Sequence, residues 1–433
     1  MNDDLSHPTS ADHAEAARHP GMERLARRLI ERHDALVAFI RGTDGVTIDD
    51  QIEVTSVPAP PFGEGARAEW MARRLRRYGA LHVEIDGVGN VVARLPGGER
   101  HRAPFVVSAH LDTVFPSGTD VRHREEEGRI YAPGISDDGR GLAALLTLTR
   151  ALVRIPDALT HPVVVAATVG EEGLGDLRGV RALFEGGAAR EAAAFISLDG
   201  AGLTRVVNGG VGSRRWRYTV SGPGGHSWVE WGRPNPIVIL AHALAALPAA
   251  EALVPGTTWS AGRIGGGTSV NAIPESAWVE VEARAMLAEA LEALEAQIRS
   301  AFESAVSEAN RAGRQTTPDD ASPLHARLSV EAIGDRPAGA TPARDPLVTA
   351  AVAATRALDL PVELATSSTD ANLPMSLAIP AITLGAGGEA HGAHTLGEWY
   401  RNTLGPEGIL RALLTLLVWD HTRATSGSRE AAD

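Results

Sequence analysis

Five short, nearly uninterrupted apolar runs constrain this chain more than any other feature: Asn90–Leu95, Phe105–Ser108, Val163–Val169, Ala193–Leu198 and Ala381–Leu384. They are too short for helices and lack the polar alternation of a half-exposed strand. Runs of this kind are buried on both faces, as the strands of a parallel sheet are. Segments with helical spacing stand before and between them, at Met22–Ile40, Glu64–Tyr78 and Gly141–Val153. Strands alternating with helices predict an α/β fold, a mostly parallel sheet flanked by helices.

The pattern changes near residue 212. Arg214–Ser221 alternates Trp216, Tyr218 and Val220 with polar neighbours, the mark of a strand with one wet face. A helix over Pro236–Leu247, strands over Thr257–Ile264 and Ala277–Ala285, a long helix over Leu287–Arg311 and a strand near Ala326–Ile333 follow. That β-α-β-β-α-β order is the ferredoxin-like split unit. The earlier alternation then resumes. A chain of 433 residues is long enough for more than one core. The expected division is a mobile polar arm over 1–21, an α/β domain over 22–211 and 338–433, and an inserted α+β domain over 212–337.

Chemistry-bearing side chains collect just past the apolar runs. His110-Leu111-Asp112 follows the second run, Glu171-Glu172 the third and Asp199 the fourth. Asp137-Asp138 precedes the helix at Gly141, and His391 and His394 stand in the Gly-rich loop after the fifth run. In an open α/β sheet, ligands bind beyond the carboxyl ends of the strands. All of these groups fall there. Crowded carboxylates raise one another's pKa unless a cation neutralises them. The chain has no cysteine, so a metal must take imidazole and carboxylate ligands. That set suits zinc at about 2.0–2.2 Å, with manganese or cobalt able to substitute.

The strings SAHLDTV, GISDDGRG, TVGEEG, SLDG and HTLGEW resemble those of the dinuclear-zinc peptidases and amidohydrolases. That family includes peptidase T, carboxypeptidase G, aminoacylase and succinyl-diaminopimelate desuccinylase. The resemblance runs from about Ser56 to the C-terminal helix, and TVGEEG, STDAN and HTLGEWY place it nearest the peptidase T branch. It implies a zinc exopeptidase-like domain with an inserted lid and dimerisation domain, two Zn2+ per subunit, and cleavage of a terminal peptide bond in a small peptide. His110 and Asp199 would hold one ion, Glu172 and His394 the other, and Asp137 would bridge them. Asp112 would orient the His110 ring, and Glu171 would be the general base for a metal-bridging water. The Asp137–Asp138 peptide would be cis. In the insertion, His226 would reach the active site of the partner subunit and stabilise the oxyanion. Asn271 would contact substrate, Arg284 would face a substrate carboxylate, and Asn372 would line the cleft.

Plainer readings compete at each position. Glu171-Glu172 could simply open a helix and Asp137-Asp138 could be an N-cap, but their order beside the other motifs favours a metal site. His391 competes with His394, and the HTLGEW match favours His394. The zinc core does not separate an aminopeptidase from an N-acyl amino acid deacylase or a carboxypeptidase. Small peptides and N-acyl amino acids therefore both stand as substrates. A non-catalytic binding homologue would have lost a ligand or the base, and each is present. The formal net charge of −13 weighs against nucleic acid or an anionic membrane as partner. The polar N-terminus, and the lack of any apolar stretch near ~20 residues, predict a cytoplasmic protein.

Overall fold

The computed structural model describes residues 17–312 and 325–430. The chain forms two compact units, one of residues up to Gly210 with those from Gly339 onward, the other Val211–Ala338. Most of the polar arm, residues 1–16, lies outside the described residues.

The first unit opens with helices α1 (Pro20–Arg32), α2 (Asp34–Gly42), α3 (Asp44–Thr55) and α4 (Gly65–Arg77). The single helix expected over Met22–Ile40 is broken at His33, whose backbone leaves the helical region (φ −113°, ψ 34°). Leu25, Leu29, Leu36 and Ile40 are all buried. The apolar spacing runs straight through the break, so periodicity gives no sign of it. Next come β1 (Leu81–Ile85), β2 (Val91–Arg94), β3 (Phe105–His110), the hairpin β4 (Arg124–Glu126) and β5 (Arg129–Tyr131), and α5 (Gly139–Leu152). Then β6 (Val163–Thr168), α6 (Arg178–Glu185), β7 (Ala194–Leu198) and β8 (Arg205–Gly210) complete this stretch.

The second unit contains β9 (Gly212–Ser221), β10 (Gly225–His226), α7 (Pro236–Ala245), β11 (Thr257–Gly266), β12 (Ala272–Ile273), β13 (Ser276–Ala285), α8 (Ala288–Ala312) and β14 (Arg327–Arg336). Its main sheet has the order β11-β13-β9-β14, antiparallel throughout. Tyr218 and Val279 from the strands pack with Ile298 and Phe302 from α8, and the Tyr218 and Phe302 rings stack at 4.0 Å. This is the ferredoxin-like arrangement. Pro236 starts α7 because the Asn235 side chain accepts from the amides of Ile237 and Val238.

The chain then returns with β15 (Gly339–Ala340), α9 (Pro346–Ala357), β16 (Glu363–Ser367), α10 (Asn372–Ser376), β17 (Ala381–Leu384), β18 (Glu389–His391), β19 (Trp399–Arg401) and α11 (Gly405–Glu430). In the large sheet of this first unit the order is β1-β2-β6-β3-β7-β17-β8-β15, with β16 also on β8. Pairing is parallel through β6, β3, β7 and β17, and antiparallel toward both flanks. Strands β3, β6, β7 and β17 are wholly buried. Phe105, Val107 and Val165 pack with α5, α9 and α11, whereas Val106, Val164 and Phe195 pack with α6 and α10. The period-two alternation thus feeds two apolar layers rather than one. Gly339 pairs with Gly210, so the chain leaves and re-enters this unit at one point. Among the described residues, no helix is long and apolar enough to cross a membrane.

Asp420 of α11 closes the starting end of β6. Its carboxylate accepts from the Thr160 and His161 amides and Thr160 Oγ1, all at 2.9 Å, and sits 2.6 Å from His161 Nδ1. Burial pushes the carboxyl up, but these donors outweigh it and hold the pKa below its ordinary value. A depressed folded pKa contributes stability above the unfolded value of about 3.9. That contribution is lost as pH falls through the folded value. Asp420→Ala is expected to cost about 2–3 kcal/mol near neutral pH, with the deficit shrinking in acid. An unchanged thermal midpoint near neutral pH would refute this role.

Candidate metal centre

Parallel pairing of β3 with β6 and β7 brings the residues at their carboxyl ends side by side. His110 ends β3, Glu171 and Glu172 follow β6, and Asp199 follows β7. The loop before α5 adds Asp137, and the loop between β18 and β19 adds His394. One carboxylate joins the two histidines. Asp137 Oδ1 lies 2.9 Å from His110 Nε2, and its Oδ2 lies 3.0 Å from His394 Nε2. Glu172 Oε1 is 2.9 Å from the same His394 nitrogen. Ligand atoms of His110, Asp137 and Asp199 fall within 4.8 Å of one another, and so do those of Asp137, Glu172 and His394. A third set within the same limit contains His110, Glu171 and Glu172. The first two sets share Asp137, and their imidazole and carboxylate donors fit zinc.

The electrostatics also call for positive charge. Burial, and then the charge of Asp137, push the Asp199 carboxyl well up. Burial alone would lower the His110 pKa, but its hydrogen bond to Asp137 and the field of Asp138, Asp137 and Asp199 carry it well above its ordinary value. Hydrogen bonds to Asp137 and Glu172 raise His394 to about 10. Asp137 itself is opposed by burial yet held below the usual carboxylate range by the two imidazoles. A divalent cation would replace the protons these histidines otherwise carry. Its uptake should therefore release protons and weaken as pH falls.

The surrounding residues fix the donors. Asp112 holds the His110 ring through its main-chain carbonyl, 3.0 Å from Nδ1, whereas its carboxylate is 3.8 Å away. That carboxylate accepts instead from the Glu171 and Glu172 amides at 3.1 and 2.7 Å. Donation from Nδ1 to the carbonyl leaves His110 Nε2 as the ligating nitrogen. Asp138 is fully buried and accepts from the amides of His110, Gly141 and Gly200, each at 3.0 Å. The Asp137–Asp138 peptide is cis. Gly141 must lack a Cβ, which would collide with the Asp138 carboxylate and the Leu198 carbonyl.

Glu398 is a residue that sequence reasoning missed, although it sits inside the HTLGEW string. It is fully buried, and its carboxylate accepts from the amides of Gly134, Ser136 and Asp137 at 2.7, 2.8 and 3.0 Å. Burial pushes its pKa up to about 7 against the pull of these donors. It thereby ties the loop that carries His394 to the loop that carries Asp137. Glu398→Gln would turn an amide NH2 or a weaker acceptor toward three N–H groups. The expected loss is about 10–100-fold in zinc affinity, read by competition with a chelator; unchanged affinity would make the tie inconsequential.

The remaining expected site residues sit as follows. His391 stacks on Trp399, with ring centroids 6.4 Å apart, and lies outside the ligand sets. Asn372 is fully buried, and its Oδ1 accepts from the Thr369 amide at 2.9 Å. Its side chain lies against Gly210, where an added Cβ would collide with it. In the second unit Arg284 is paired with Glu282 at 2.9 and 3.1 Å, and Glu282 also holds Arg215 at 2.7 Å. Its charge is thus balanced within its own sheet. His226 stands opposite Ala272 in the β10–β12 pair, and the Ser227 amide donates to the Asn271 carbonyl at 3.1 Å. The two loops expected to meet substrate are therefore adjacent. His226 Nδ1 accepts from the Trp228 amide at 3.2 Å. In the neutral ring the proton then sits on Nε2.

Known proteins bear on this geometry. The profile of Peptidase family M20/M25/M40 matches residues 106–416. Uncharacterized protein YqjE of Bacillus subtilis strain 168 is 28% identical over 366 residues, spanning 81% of this chain and 92% of that protein. Succinyl-diaminopimelate desuccinylase of Nitrosospira multiformis is 29% identical over 259 residues, 55% of this chain and 67% of that one. The crystal structure of aminopeptidase PepT from Bacillus cereus ATCC 10987 shares the fold, with a TM-score of 0.69 at 23% identity over 86% of this chain and 98% of its own. The family match covers most of the chain and takes in the strand ends just described. The chain therefore belongs to peptidase family M20/M25/M40, and is an enzyme of the zinc metallopeptidase and related amidohydrolase kind.

Proposed function

We propose that the chain is a dinuclear zinc aminopeptidase that removes a residue from the amino end of a di- or tripeptide. The observation that supports this most is the Asp137 carboxylate shared between two donor sets, with Glu171 beside them. Two zinc ions, when bound, lower the pKa of a water and polarise the scissile carbonyl. His110 and Asp199 would hold one ion and Glu172 and His394 the other, with Asp137 shared between the two sets. The Glu171 carboxylate takes a proton from the attacking water and passes it to the leaving amine. Asp112 holds the Glu171 backbone for that task.

The Nε2 proton of His226, supplied by a second copy of the chain, stabilises the oxyanion that develops on the scissile carbonyl. Asn271 beside it contacts the substrate. Trp228, Val229, Trp231 and Val270 of the same unit are all exposed, and large apolar side chains left open to water beside His226 and Asn271 support a homodimer. Mixing Glu171→Gln protein with His226→Ala protein should restore activity that neither has alone. No recovery after subunit exchange would remove the role in trans.

The peptidase T-like strings favour an aminopeptidase. The desuccinylase relative favours a second reading, removal of an N-acyl group. Zinc-loaded and chelator-treated protein should be offered free di- and tripeptides, N-acyl amino acids and peptides blocked at one end, with products read by mass spectrometry. Metal-dependent cleavage that requires a free amine is expected. Cleavage of amine-blocked compounds moves the assignment to a deacylase or carboxypeptidase, and failure to bind metal overturns both.

A further inference from the structure

A second feature of the first unit has no part in this chemistry: a groove of about 870 Å³ at the starting ends of the strands that carry the metal centre. Ala103 and Pro104 precede β3 there, and Pro162 precedes β6. Strand β3 spans six residues from this groove to His110, so the two sites stand about 20 Å apart along it. The groove is lined by Arg94, Arg100, Arg102, Arg190, His82 and His101, against the single carboxylate of Glu191. In a chain of net charge −13 this is a sharply local positive field.

Only part of that charge is balanced. Glu99 pairs with Arg102 at 2.8 Å and lies 3.4 Å from His101. Among the described residues, the guanidiniums of Arg94, Arg100 and Arg190 have no hydrogen bond or ion pair. The turn that carries Arg100 is firmly built. Gly97 and Gly98 take φ of 101° and 74° and press on the backbone of Pro156 and Pro162, an approach no residue with a Cβ could make. The Glu99 amide donates to the Thr160 carbonyl at 2.8 Å, in the segment that Asp420 holds. Leu95, Pro104, Pro162 and Ala188 give the same groove an apolar wall.

Guanidinium forks suit phosphate oxygens, and several along one concave wall suit phosphates in a row. The volume is that of a small-molecule site. We propose that this groove binds a small organic polyphosphate, with Arg94, Arg100 and Arg190 on the phosphates and the Leu95–Pro104–Pro162 wall on the organic part.

The test is calorimetric titration of the zinc-loaded full-length chain with tripolyphosphate, adenosine triphosphate and citrate, beside the Arg100→Glu/Arg190→Glu double variant. Saturable one-to-one binding is expected, tighter for adenosine triphosphate than for tripolyphosphate, and weakened by added salt. The double variant should bind at least about tenfold more weakly, with an unchanged melting temperature. Phosphate also ligates zinc, so the arginine pair is the deciding variable. Affinity that survives its reversal belongs to the metal centre and overturns the proposal. So does the absence of saturable binding, or citrate binding as tightly as tripolyphosphate.

Discussion

Glu171→Gln is expected to lower kcat by about 10²–10⁴-fold, the range for loss of a positioned general base, while zinc content stays at the wild-type level. The substitution keeps the shape of the side chain and leaves its amide on Asp112, 3.1 Å away. What it removes is the ability to take up a proton. The alternative role for Glu171 is ligation, because its carboxylate falls within 4.8 Å of donor atoms on His110 and Glu172. Metal analysis separates the two. Lost turnover with full zinc supports the base, whereas turnover and zinc lost together make Glu171 a ligand.

Asp137→Ala should have the largest effect on metal binding. Each of its oxygens faces a different histidine, so a single truncation opens both donor sets. The loss in zinc affinity should exceed the ~10–100-fold typical of an outer partner, and activity should fall with it. Zinc at a thousandfold excess over its Kd stabilises a protein by about 4 kcal/mol. The wild type should show a thermal shift of that order on zinc addition, and the variant little or none. A full zinc-induced shift in Asp137→Ala would remove the bridging role.

Strand ends were legible in the sequence because burial on both faces leaves a run such as Val163–Val169 almost free of polar residues. The first polar residue past it then stands out. His110, Glu171 and Asp199 stood out in this way, Asp137 by the helix start that it precedes and His394 by the HTLGEW string, and the structure gathers side chains of His110, Asp137, Glu172, Asp199 and His394 into ligand sets. Other features depend on partners far along the chain. Glu398 lay in a recognised string, but its meaning comes from three amides in the Gly134–Asp137 loop. Asn372 looked like a cleft residue by its motif, and only packing against Gly210 shows that it is buried. For Asp112 the residue was legible but the contact was not, since no sequence pattern distinguishes a carbonyl from a carboxylate on the same residue.

The return of the chain at Gly339 has a consequence for its synthesis. Strand β17 lies between β7 and β8, yet it leaves the ribosome only after the whole inserted unit. Until then β7, wholly buried in the finished sheet, lacks a neighbour on that side, an open edge of the kind that recruits other chains. The inserted unit has its own core and can fold while that edge waits. Nascent chains that end after the insertion but before Ala381 should therefore be the most aggregation-prone species this protein passes through.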